Sequence, residues 1–288
     1  MEEPSSPTTT AVPRDRVQSR TVAVLSLVQV LVGVGTATGA SVNSIVAAEL
    51  SGSETVGGLA QTCVVVGSAL AALPIAQVAA RRGRRRSLVL GYGAAALGAL
   101  AATLATVAGS TALLLVGMTL IGAGGAAGLA ARFAATDLAD PAHRARALSF
   151  VVWAATVGSV LGPNLAGLLD TWALASGVLP AARGTHTGVT FALMTLMFLL
   201  ATAVVALLLR PDPLLLARER SGEEPPLPRS PWRSIGAGVS VIRRVPAARL
   251  GLTGVVVSHF VMVSLMVMTP VHINHHGASL QLIGLVIS

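Results

Sequence analysis

Residues 87–131 read SLVLGYGAAALGALAATLATVAGSTALLLVGMTLIGAGGAAGLAA, without one charged side chain. A bilayer's hydrocarbon core is about 30 Å thick, and a helix needs about 20 apolar residues to cross it. The run is about twice that length, so it reads as two spans with a turn near Gly109-Ser110. Working outward, the same pattern recurs. Charge-free stretches cover Thr21–Ala48, Thr55–Ala80, Ala147–Leu169, Gly184–Leu209 (apolar from about Val189) and Leu250–Val271. Gln281–Ser288 reads as the first two turns of a further span. Barrel strands are short and alternate apolar with polar residues. Leu193-Met-Thr-Leu-Met-Phe-Leu-Leu200 does not alternate. A helix satisfies its own backbone in lipid, so the expected fold class is an all-α transmembrane bundle.

Composition agrees. The 288 residues are 53% hydrophobic and only 11% charged, against about 25% charged in soluble domains. The 30 glycines show no three-residue period; glycine is simply frequent in membrane helices. Cys63 stands alone in an apolar run, so no intramolecular disulfide forms and a packing role is expected. Pro4–Thr10 is a polar Pro/Ser/Thr tail, and the apolar run after it is too long for a secretory signal.

The net charge of +8 is a matter of placement, not of nucleic-acid binding. All the basic residues are arginine. They fall in the N-terminal tail (Arg14, Arg16, Arg20) and in alternate connections: 81–86, 132–146 and 210–249. Of the 20, only Arg183 falls in the other set. Basic residues concentrate on the cytoplasmic side, so the N-terminus is expected in the cytoplasm. The Pro225-Pro-Leu-Pro228 stretch beside Glu223-Glu224 reads as a flexible linker. Trp232–Val245 is a candidate amphipathic segment for the membrane surface, with a solvated loop as the alternative.

Two local motifs carry more information. The second connection reads Ala76-Gln-Val-Ala-Ala80-Arg81-Arg82-Gly83-Arg84-Arg85-Arg86-Ser87-Leu88. The fifth span contains Gly158-Ser-Val-Leu-Gly162-Pro163-Asn164-Leu-Ala-Gly167. Small residues four apart let helix backbones approach closely, and Pro163 removes a backbone donor and kinks a helix. Gly122-Ala-Gly124-Gly125-Ala-Ala-Gly128 and the pair Gly35 and Gly39 have the same small-residue character.

The two motifs, and six spans followed by a long connection and more spans, resemble the major facilitator superfamily. Arg81, Gly83, Arg84 and Arg85 match its signature between the second and third helices; Ala76 and Ala80 replace that signature's first glycine and its aspartate. The resemblance implies a gating network there. With the aspartate missing, the lock must be weaker or differently built, and Arg132 and Asp137 are the remaining candidates for it. The Gly158, Gly162, Pro163 and Gly167 set resembles the antiporter-associated signature and implies a helix-packing hinge. Met118 stands where the family often has an arginine implicated in proton coupling. The implied mechanism is alternating access between two six-helix halves, each made of inverted three-helix repeats.

No Asp or Glu sits at the centre of an expected span; Asp170 is placed at a span end. Gln29, Asn43, Gln61, Asn164 and His259 are candidate cavity-lining groups, although each also suits helix–helix hydrogen bonding. His272, His275 and His276 make a weak zinc pattern with no fourth ligand and are read as a solvated loop. No catalytic, metal or cofactor motif is present.

The expected organisation is a cytoplasmic tail (1–20), a six-helix half (21–210), a cytoplasmic central loop (211–248) and the start of a second half, with a seventh helix and the beginning of an eighth (249–288). The expected function is secondary transport of a small solute across the cell membrane, by efflux, with protons as a candidate coupling ion. Other readings are a metabolite importer and a receptor-like, non-transporting membrane protein; an embedded enzyme lacks any supporting motif. A twelve-helix family member needs roughly 400 residues, so the chain reads as a fragment that does not transport alone.

Overall fold

The computed structural model describes residues 14–176, 186–222 and 231–275. Among them the elements are all helical: α1 (Arg14–Ser51), α2 (Glu54–Arg82), α3 (Arg84–Ala108), α4 (Thr111–Ala134), α5 (Arg144–Ser176), α6 (His186–Leu208), α7 (Pro213–Ser221), α8 (Pro231–Arg244) and α9 (Pro246–His275). The chain divides into two compact units, residues 1–225 and 226–288. The first contains six helices long and apolar enough to cross a membrane.

The local chemistry of the turns explains the boundaries. Gly109 ends α3 in the left-handed conformation, and the Ser110 hydroxyl accepts from Leu113 N at 3.4 Å to start α4. The expected turn inside the long charge-free run is therefore present. Pro213 opens α7, where a missing N–H costs no hydrogen bond.

Packing in the first unit rests on small residues. Added Cβ atoms on Gly33 and Gly162 would stand 2.7 Å from Ala155 O and Val34 O respectively. One on Gly158 would overlap Val30 O. The backbones of α1 and α5 thus touch. The same arrangement joins α4 to α2: Gly122 lies on Val64 O and Gly67 on Thr119 O. In each pair the glycine lies three residues after the carbonyl that its own helix presses on the other glycine: Val30 and Gly33 against Ala155 and Gly158, and Val64 and Gly67 against Thr119 and Gly122. α1 packs on α5 and α6 as α4 packs on α2 and α3, so the two triplets α1–α3 and α4–α6 share a pattern of neighbours.

The core between them is apolar, with Leu25, Leu88, Tyr92, Leu114, Met118 and Phe198 fully buried. The outside is equally apolar: Val107, Trp153, Leu207 and Leu97 are mostly exposed. A helix apolar on every face belongs in lipid, and the low charge content follows from that.

Several sequence expectations need correction. α1 begins at Arg14, so the expected tail supplies the first turns of a helix. The expected central loop contains the helix α7, while α8 falls on the candidate amphipathic segment Trp232–Val245. α9 runs on through His275, so His272 and His275 are helical rather than in a loop. Asp170 lies within α5, which extends to Ser176. Pro4–Thr10, Arg183, residues 223–230, His276 and Gln281–Ser288 lie outside the described residues.

Candidate functional site

The connection between α2 and α3 is a single residue. Gly83 adopts φ 88° and ψ 172°, a region open essentially to glycine. An added Cβ would also run into the Asp212 carboxylate. That carboxylate is the hub of the site. It accepts from Arg84 N at 3.1 Å and Arg85 N at 2.8 Å, at the start of α3. It also accepts from Leu214 N at 3.1 Å and Leu215 N at 3.3 Å, at the start of α7. One carboxylate thus satisfies orphan N–H groups on two helices, whose N-termini both favour negative charge.

The arginine side chains reach outward from this turn. Arg84 grips Asp137 with two bonds, Nε to Oδ2 at 2.8 Å and Nη2 to Oδ1 at 3.1 Å. The two side chains are 19% and 12% exposed, shielded enough for the pair to matter. Arg85 donates to Ala206 O near the end of α6. Arg218 of α7 donates to Ala80 O near the end of α2 at 2.7 Å. The cations therefore take up carbonyls left over at helix C-termini, where positive charge is stabilising. Arg20 reaches Leu208 O, and Gln18 reaches Ala135 O at 2.8 Å. These contacts gather the basic helix ends at one end of the unit.

Not every expected member joins. Arg81 is exposed and lies outside this network among the described residues. Arg132 is half-buried, with Nε unpartnered. Sequence reading missed Asp212. Its visible signal is Asp-Pro followed by apolar residues, a helix start in a stretch assigned to a loop. Ala80 lacks the side chain of the family's aspartate, but its carbonyl is held by Arg218.

In the second motif, Gly158 and Gly162 form the contact with α1 described above. Their partner Gly33 was not singled out; Gly35 and Gly39 instead face Met197 and Met194 of α6. α5 continues as one helix through Pro163 and Gly167.

The candidate cavity groups separate. Gln29 and Asn43 are buried inside the unit, with Oε1 and Oδ1 unpartnered among the described residues; Gln29 lies against Gly128 of α4. Gln61 and Asn164 are exposed, and Asn164 Nδ2 donates to Val160 O within its own helix at 2.7 Å. His259 is exposed on α9.

Six helices long and apolar enough to cross a membrane, in two triplets that share a pattern of neighbours, make a multi-pass membrane protein of the kind from which secondary transporters are assembled. The chain belongs to the Major Facilitator Superfamily, whose family model matches residues 25–288. It is 36% identical over 270 residues to the uncharacterized MFS-type transporter YdeG of Bacillus subtilis, covering 93% of this chain and 60% of YdeG. It is 33% identical over 279 residues to YddS of the same organism, covering 95% and 61%. Among solved structures, the human organic anion transporter MFSD10 (TETRAN) matches with a TM-score of 0.51 at 16% identity, over 77% of this chain and 60% of that one. The chain thus spans about three-fifths of the length of the curated relatives it matches. Its family is one of transporters, not enzymes.

Proposed function

We propose that this chain supplies the first half of a secondary transporter, which exports a small solute from the cytoplasm across the cell membrane by alternating access. The N-terminus and the arginine-rich end face the cytoplasm. The observation that carries the reading is the Asp212 hub with the Arg84–Asp137 pair, in a member of this family. The hub makes the cytoplasmic end of α2, α3, α6 and α7 one rigid plate, against which a second half closes. Arg81, exposed in the last turn of α2, is left free among the described residues of that plate to meet the second half. Gly158 and Gly162 hold α5 against α1, so the two move as one when the half rocks. The expected cargo is uncharged or anionic, because the sequence puts no Asp or Glu at the centre of a span: Glu49 lies near the end of α1 and Asp170 in the last two turns of α5. Protons are a candidate coupling ion.

The test is dye export in the source cell, with the chromosomal gene intact or carrying Asp137→Asn. Carboxyfluorescein serves as the anionic probe and Nile red as the neutral one. Faster retention loss in the intact strain, abolished by the substitution, supports export. Identical retention in both strains and in a deletion strain overturns it. Arginine-side cysteines that react with an impermeant reagent on whole cells overturn the orientation.

A further inference from the structure

We propose that α8 is a membrane-surface helix that binds anionic phospholipid headgroups through the arginines at its junction with α9. The inference rests on the reading that α9 crosses the bilayer. At about 1.5 Å per residue, the 30 residues of α9 span about 45 Å, enough for a bilayer core of about 30 Å. The 14 residues of α8 give only about 21 Å, too short to cross.

The junction turns the chain sharply. Gly238–Arg244 and Pro246–Met262 meet at 107°. The cause is local. Pro246 has no N–H and disfavours the helical conformation in the residue before it. Val245 therefore does two things: its N–H donates to Val241 O at 2.8 Å and closes α8, and its carbonyl accepts from Ala248 N and Arg249 N to open α9. With α9 upright, α8 lies nearly in the membrane plane.

The sequence of α8 suits that plane. Trp232, Ile235, Val239 and Ile242 recur at spacings of a helical stripe. Val239 of this stripe is 48% exposed, so the unit leaves that position uncovered. Arg243, Arg244 and Arg249 are all exposed at the bend. From Pro225 to Ser288 the sequence contains no Asp or Glu. An apolar stripe beside uncompensated arginines complements a negatively charged leaflet. It offers no acid to pair with a basic protein partner.

The full chain in a Cys63→Ser background, with Val239→Cys carrying the polarity-sensitive fluorophore NBD, tests this. The chain is placed in phosphatidylcholine vesicles with or without phosphatidylglycerol, each doped with headgroup-nitroxide lipid. Phosphatidylglycerol should shift the label to an apolar signal quenched at headgroup depth. Each arginine at an anionic leaflet contributes about fivefold. Arg243→Gln with Arg244→Gln should therefore lower the docked-to-undocked ratio about 25-fold there, and leave it unchanged in phosphatidylcholine alone. Arg243→Lys with Arg244→Lys should retain docking. Equal signals in both vesicle types, or indifference to the glutamine pair, overturn the proposal. So does a label already shielded in detergent, because protein then covers the face. A second label at Val256→Cys reads core insertion of α9 separately; its failure would indict the membrane reading, not the lipid preference.

Discussion

Replacing Asp212 by alanine removes the acceptor for four backbone N–H groups at once, two on α3 and two on α7. Loss of one N-cap costs about 0.5–2 kcal/mol. Two caps served by a single, half-buried carboxylate put the loss at about 2–3 kcal/mol, since bonds sharing one acceptor group do not add in full. At 1.4 kcal/mol per tenfold, local opening becomes about 30- to 150-fold more frequent. Hydrogen exchange of the detergent-solubilised protein, read by mass spectrometry, reports this directly. Peptides covering 84–86 and 213–221 should lose protection by that factor, while the centre of α4 should not change. Asp212→Asn keeps one acceptor oxygen and loses the charge, so its effect should fall between wild type and alanine. Unchanged protection at both helix starts in Asp212→Ala would refute the hub, because both caps would then have to come from elsewhere.

The Arg84–Asp137 pair should show up as coupling. Arg84→Gln and Asp137→Asn, each measured by thermal unfolding in detergent, should combine non-additively by about 1–2 kcal/mol; strict additivity would mean the pair is screened. Gly83→Ala should cost about 1–3 kcal/mol from backbone strain alone. Its penalty should shrink in an Asp212→Ala background, where the Cβ no longer meets a carboxylate. Gly158→Ala forces the Val30 carbonyl aside and should destabilise by about 1–3 kcal/mol. Gly125→Ala, whose nearest neighbour is Ser68 Oγ at 3.5 Å, should be tolerated within about 0.5 kcal/mol in the same unfolding assay.

Charge-free length and arginine placement are one-dimensional signals, so the sequence by itself determined the fold class, the first six spans and the Gly109-Ser110 turn. A bilayer imposes a fixed thickness and a fixed cost on charge, and both can be counted along a chain. The members of the Arg84–Asp137 pair were legible for a related reason, though not their pairing: Arg84 stands in the basic motif and Asp137 just past the end of the fourth span. Asp212 was not, because its value lies in reaching Arg84 and Arg85, more than a hundred residues earlier in the chain. Gly33 and Gly67 stayed hidden in a glycine-rich sequence, where only the three-dimensional packing shows which glycines meet a backbone carbonyl and which, like Gly93, meet open space. Gln29 and Gln61 look alike as polar residues in apolar runs. The helix rotation that buries one and exposes the other is set by packing against α4 and its neighbours, not by either residue itself.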